Sequence, residues 1–159
     1  MKVGIVMGSK SDYPVLERTE KVLESFGVSY ETRIISAHRT PSVAEEFAAG
    51  AEANGISVII AAAGKAAHLA GVMAAYTPLP VIGLPIKSST LDGLDSLLST
   101  VQMPKGVPVA TVAIDGAENA ALLAVQILSL KHTTLRESMK AYKEDMERDI
   151  IRTDAEFRK

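Results

Sequence analysis

The stretch "SVIIAAA" at residues 57–63 decides the fold: after Ser57 it holds no polar residue and shows no alternation of polar and apolar positions. A strand with one face in water reads apolar, polar, apolar, whereas an unbroken run of this length suits a strand buried on both faces, as in a parallel sheet covered by helices. Working outward, residues 2–7 (KVGIVM), 80–84 (PVIGL) and 108–114 (PVATVAI) have the same unalternating character. Residues 29–35 (SYETRII) alternate, which predicts an edge strand.

Amphipathic segments fill the gaps between these runs. Ser11 or Asp12 can cap a first helix whose apolar face is Val15, Leu16, Val22, Leu23 and Phe26 and which ends at Gly27. Thr40 followed by Pro41 predicts a second helix start, with a stop near Asn54 and Gly55. Further helices are expected at 66–76, which is rich in small residues, at 91–102, and at 117–130, which is apolar almost all round. Strands alternating with helices give an α/β class: a three-layer sandwich around a doubly wound, five-stranded parallel sheet with right-handed crossovers and flavodoxin-like strand order.

The 159 residues fit one domain, read as an α/β core over residues 1–130 and a helical extension over 131–159. In that extension Leu135, Met139, Tyr142, Met146 and Ile150 recur at steps of four, three, four and four. Such a narrow stripe suits packing along another helix, either within the domain or on a second subunit. The apolar character of 117–130 favours the second, so a homo-oligomer is expected. A formal net charge of −2 gives no general attraction to nucleic acid or to an anionic membrane, and neither is expected as a partner. With no cysteine in the chain, disulfides, thiolate metal sites and cysteine nucleophiles are excluded. The opening apolar run is too short for a signal segment and no stretch reaches membrane-spanning length, so the expected location is the cytoplasm.

Ligands of a doubly wound sheet bind beyond the carboxyl ends of its strands, where strand order reverses. The loops at that edge read "GSKSD", "SAHRTP", "AGKAAHLAG" and "PIKSS", and they gather Ser9, Ser11, Asp12, Ser36, His38, Arg39, Lys65 and His68. Ser9 and Ser11 offer hydroxyls beside a helix N-terminus, which favours an anion such as phosphate. Asp12 would repel phosphate and suits sugar hydroxyls or a helix cap. Arg39 can grip a phosphate or carboxylate through two parallel hydrogen bonds. His38 and His68 carry the side chain that takes and returns protons near neutral pH. Gly64, Ala66 and Ala67 leave room for a ligand to approach the backbone. The two loop histidines are thirty residues apart and His132 lies elsewhere, so a metal site is not expected. There is no GxSxG elbow to present a serine nucleophile.

In order along the chain, "GSKSD" (8–12), "SAHRTP" (36–41), "AAHL" (66–69), "LDGLDSLLSTVQMPKGVPVATVAI" (91–114) and "NAALLAVQIL" (119–128) resemble the bacterial-type, class I N5-carboxyaminoimidazole ribonucleotide mutases of purine synthesis. The resemblance implies transfer of a carboxylate from an exocyclic nitrogen to ring carbon 4, with no cofactor and no metal. It implies acid–base catalysis by His38 and substrate binding by Ser9, Asp12 and Arg39, with the phosphate toward the serine and arginine and the ribose toward Asp12. Ser11, Ser36, Ala37, Gly64, Ala66, His68 and Leu69 match the rest of the pocket lining. It also implies an octamer whose C-terminal helices reach neighbouring subunits. Lys65 and Ala70 stand where that family usually has glycine and proline, and Lys65 either points to solvent or reaches the substrate carboxylate.

Two other functions fit the sequence less well. A related carboxylase uses carbon dioxide directly, but its "SAHK"-like loop differs from "SAHR" here. A non-catalytic flavodoxin-like module would need either an acidic phosphoacceptor after the third strand, where Ala62, Ala63 and Gly64 stand, or aromatic rings for a flavin, in a chain without tryptophan.

Overall fold

The apolar runs lie side by side in the computed structural model, which describes residues 1–89 and 91–158. Strand β1 (Lys2–Met7) sits between β2 (Ser29–Ile34) and β3 (Ile56–Gly64). β4 (Val81–Ile86) follows β3, and β5 (Ala110–Thr111) follows β4, so the order is β2-β1-β3-β4-β5 with every pair parallel. This is the flavodoxin-like doubly wound sheet expected from the sequence. The order reverses between β1 and β3, where Met7 pairs with Ala62, and the loops leaving those two strands diverge to open a crevice.

Because successive side chains of a strand point to opposite faces, β1 and β3 feed two separate cores. On one face Val3, Ile5, Met7, Val58, Ile60 and Ala62 meet Leu16 and Leu23 of α1 (Tyr13–Ser25) and the alanine-rich side of α5 (Ala117–Ser129). On the other, Val6, Ile59 and Ala61 meet Ala44 and Ala48 of α2 (Pro41–Gly50) and Leu69, Ala70 and Met73 of α3 (Leu69–Tyr76). Helix α4 (Leu94–Val101) joins this second layer against β4, β5 and α3. Its approach is close: a Cβ on Gly83 of β4 would collide with the Thr100 methyl and stand 2.8 Å from Val109 Cγ1. The face α4 buries is small and polar, with the Ser96 hydroxyl donating to the Ile86 and Gly93 carbonyls at 2.9 and 2.8 Å. Leu94, Leu98 and Val101 are left exposed.

Several expectations change in detail. β2 is the edge its alternation predicts, with Ile34 56 % exposed. The run 108–114 is not buried on both faces; only Ala110 and Thr111 pair with β4, and Pro108 and Ala110 are exposed, because this run forms the opposite edge. Helix α3 begins at Leu69, not 66, because Lys65 takes a left-handed φ of 57° and delays the first helical turn. Asp12 occupies the N-cap position of α1 without a capping hydrogen bond. It is Ser9 that caps, one short 3-10 turn (Lys10–Asp12) earlier.

The stripe in the extension resolves into two halves of one helix, α6 (Thr133–Phe157). Leu135 and Met139 are 5 % and 8 % exposed in the α1–α5 core, and the Tyr142 ring meets Phe26 at 5.7 Å. Beyond them Met146, Ile150, Ile151 and Phe157 have no core to enter, and Ile150 is 71 % exposed. At about 1.5 Å per residue, the final fifteen residues of α6 project about 20 Å. Among the described residues no helix is long and apolar enough to cross a membrane.

Candidate active site

Beyond the carboxyl ends of β1, β2, β3 and β4, their four loops enclose a cavity of about 510 Å³. Every candidate site residue named from the sequence lines it except Ala67, which is buried. Ser9, Ser11 and Asp12 come from the loop after β1, and Ser36, Ala37, His38 and Arg39 from the loop after β2. Gly64, Lys65, Ala66, His68 and Leu69 come from the end of β3 and the turn into α3. Residues not singled out as ligand contacts join them: Gly8 and Ala63, and Ile86, Lys87 and Ser88 after β4. The loop "PIKSS" marks the last three in the sequence, but nothing in its pattern says which side chains turn inward.

The first loop is organised around one oxygen. Ser9 Oγ accepts from the Ser11 amide at 3.3 Å and from the Ser11 hydroxyl at 2.8 Å, tightening the short turn that leads into α1. Asp12 follows, half-buried. Partial burial pushes its carboxyl above the ordinary carboxylate value, against hydrogen bonds from the Ser11 hydroxyl and the Ser9 backbone that pull it down.

In the second loop Thr40 braces Ser36, accepting from its amide and donating to its carbonyl, each at 3.0 Å. Ser36 Oγ in turn accepts from the Arg39 amide at 3.2 Å and from Arg39 Nε at 3.3 Å. The far end of that guanidinium donates to the Gly8 carbonyl at 3.0 Å, tying the loops after β1 and β2 together. All of these partners are neutral, so the Arg39 charge stays available to an anion.

The third loop meets the second at two rings. His38 Nε2 lies 2.8 Å from His68 Nδ1, and the rings cross edge to face. Hydrogen bonding at this distance requires one imidazole to present N–H and the other a bare nitrogen. Ala37, Ala63, Ala66, Leu69 and Ile86 supply an apolar wall beside them. On the last side, Lys87 Nζ pairs with Asp92 at 3.1 Å, and its amide donates to Asp115 Oδ1 at 2.8 Å. Among the described residues no group of three or more His, Asp or Glu is placed to hold a metal ion.

One cavity thus holds hydroxyl donors and an unpaired guanidinium at one end, and a contacting imidazole pair against an apolar wall at the other. Comparison with known proteins leads to the same place. The family model described as AIR carboxylase matches residues 2–149. The chain is 64 % identical over 147 residues to the N5-carboxyaminoimidazole ribonucleotide mutase of Pyrococcus abyssi, covering 92 % of this chain and 84 % of that protein. It is 57 % identical over 150 residues to the protein of the same name from Thermotoga maritima, covering 94 % and 88 %. The solved structure of Treponema denticola PurE superposes with a TM-score of 0.92 at 33 % identity, covering 99 % of both chains. On a match spanning nearly its whole length, the chain belongs to the AIR carboxylase family.

Proposed function

We propose that this protein is an N5-carboxyaminoimidazole ribonucleotide mutase, moving a carboxylate from the exocyclic nitrogen of the aminoimidazole to ring carbon 4. The supporting observation is the layout of the cavity, in which an anion seat and a proton-transfer pair share one space of a size that suits a nucleotide monophosphate. Relatives that carry this name cover almost the whole chain.

In this reading the substrate phosphate sits at Ser9, Ser11, Arg39 and the N-terminus of α1, where hydroxyls, guanidinium and helix dipole all favour negative charge. Asp12 accepts from the ribose hydroxyls. Ser36 holds Arg39 in place. His38 is the acid–base residue: it gives a proton to the exocyclic nitrogen as the bond to the carboxylate carbon breaks and carbon dioxide is released. Carbon 4 then attacks the carbon dioxide, and the proton on carbon 4 returns to His38. Atoms and charge balance and nothing is oxidised or reduced, so no external reactant is consumed. Ala37, Ala63, Ala66 and Leu69 form the wall against which the carbon dioxide waits.

The same chemistry favours an oligomer, and the family resemblance supports an octamer. His38 and His68 are exposed in the single chain, whereas an intermediate gas must be kept from solvent. An apolar groove of Pro41, Val72, Tyr76 and Met103 continues from Ala37 and His68, and both α4 and the end of α6 present unburied apolar side chains. Neighbouring subunits supply the cover.

The test is a comparison of initial rates with carboxyaminoimidazole ribonucleotide and with aminoimidazole ribonucleotide plus bicarbonate. Rapid conversion of the first at micromolar concentration, with the second used only at high bicarbonate, is expected. Preference for the second would make the protein a direct carboxylase.

A further inference from the structure

Three flexible cations line the cavity, and two of them are held in place. Arg39 is held by the Gly8 carbonyl and the Ser36 hydroxyl beside the serine loop. The Lys87 ammonium is neutralised by Asp92. Lys65 lines the same cavity, yet among the described residues it has neither a hydrogen bond nor an ion-pair partner. Its backbone is unusual as well: φ is 57°, a left-handed conformation that glycine adopts freely and a lysine side chain does not favour. A position that glycine would fill without strain here carries a long cationic side chain at the mouth of the site.

The place of Lys65 limits what it can meet. It follows Gly64 at the end of β3, three residues before His68, whose ring touches His38. The phosphate seat lies at the loops after β1 and β2. Resting on the functional reading above, the substrate has two anionic ends, the phosphate and the carboxylate borne by the base. We propose that the Lys65 ammonium pairs with that carboxylate, in both the nitrogen-linked substrate and the carbon-linked product. It is therefore a substrate-contacting residue that selects carboxylated nucleotides over the bare aminoimidazole ribonucleotide.

The carboxylate still carries its charge as the bond to nitrogen or carbon begins to break, so the pairing holds ground states and transition states alike and acts on KM more than on kcat. The test uses Lys65→Met, which removes the charge, and Lys65→Gly, which also relieves the backbone. Three quantities are measured for the intact protein: KM for carboxyaminoimidazole ribonucleotide, KM for the carbon-carboxylated nucleotide in the reverse direction, and Kd for aminoimidazole ribonucleotide, which keeps the phosphate and ribose but lacks the carboxylate. Both variants should raise the two KM values about tenfold, as expected for loss of a charge-assisted contact, with kcat changed less than about threefold and Kd for the bare nucleotide within about twofold. Equal weakening for all three nucleotides would overturn the proposal, placing Lys65 at the phosphate or in the scaffold of the loop, and so would unchanged KM values. If the parent protein interconverts the two carboxylated nucleotides but the variants behave like it, this inference alone fails. If the parent converts neither, the functional reading fails and takes the inference with it.

Discussion

His38 Nε2 and His68 Nδ1 approach to 2.8 Å, with ring centroids 4.9 Å apart and planes crossing at 84°. Two side chains thirty positions apart in sequence are thereby locked across the crevice at the strand-order reversal. The contact orients the His38 ring against a second imidazole. This makes His68 a positioning residue for the proposed acid–base group, a role that two substitutions separate from simple packing.

An asparagine at position 68 places an amide near the former Nδ1 and can still hydrogen-bond to His38, whereas phenylalanine keeps the ring shape and cannot. His68→Phe is expected to lower kcat by about 10²-fold, in line with loss of a correctly held general acid–base. His68→Asn should retain about ten times more activity than His68→Phe, the difference expected for a hydrogen bond of about 1 kcal/mol or slightly more. Steady-state kinetics on the two variants decides it: equal losses would assign His68 to ring packing alone.

Arg39 bridges the first two loops through Gly8 and Ser36 while keeping its charge unpaired. Arg39→Ala should raise Kd for the nucleotide by about 10- to 100-fold, the worth of a charge-assisted hydrogen bond of about 1.5–3 kcal/mol. Arg39→Lys should recover only part of this, since an ammonium cannot span both loops and the ligand. Isothermal titration with aminoimidazole ribonucleotide gives the values; unchanged affinity in Arg39→Ala would move the phosphate to another wall.

Asp12 ties stability to pH. Because burial raises its carboxyl in the folded protein, the native state binds that proton more tightly than the unfolded chain does. Ionised Asp12 therefore opposes folding above its folded value, and the opposition fades as pH drops below the ordinary carboxylate value. Asp12→Asn should raise Tm at neutral pH, and the gain should vanish toward about pH 3. The half-exposed site keeps the effect small, within about 0.5 kcal/mol, or about 1–2 °C for a chain of this size. Affinity for the ribonucleotide should fall about fivefold as ribose hydroxyls lose a charged acceptor. Calorimetry at several pH values, read beside titration, checks both signs; a lower Tm at neutral pH contradicts the burial argument.

The outer half of α6 bears Met146, Ile150, Ile151 and Phe157, with Phe157 81 % exposed, and ion pairs such as Arg152–Asp149 at 2.9 Å beside them. Exposed apolar side chains grouped on one helix support the subunit contact proposed above. Sedimentation velocity at micromolar concentration should show a homo-octamer. Ile150→Asp combined with Ile151→Asp should yield smaller species with unchanged helical content and at least tenfold lower turnover, because the crevice loses its cover. A monomeric parent protein, or full activity in the dissociated variant, would remove the subunit contact from the account.

Much of this was legible in the chain because burial leaves a direct trace. "SVIIAAA" lacks alternation and is β3, the central strand of the sheet, while "SYETRII" alternates and is the edge β2. The residues that line the cavity were legible as a set because the doubly wound topology brings the ends of β1 to β4 to one rim, so their loops share a crevice. What was hidden depends on distances that no periodicity records. Ser9, not Ser11 or Asp12, makes the cap because a 3-10 turn intervenes before α1. The run 108–114 reads as a buried strand, but an edge position needs only two residues of pairing. His38 and His68 carry no sequence sign of their contact, and the side of Lys65 is set by a left-handed φ that its own side chain does not predict.

In the proposed mechanism the cavity binds the nucleotide through its serine, arginine and aspartate side and transfers a proton at His38. The most direct measurement is His38→Asn, read for binding and turnover on one preparation. Kd for aminoimidazole ribonucleotide should stay within about threefold of the parent while kcat for carboxyaminoimidazole ribonucleotide falls by about 10²-fold or more, the scale of general acid–base catalysis. Turnover within tenfold of the parent at unchanged affinity would contradict this mechanism and send the search for the proton donor to His68.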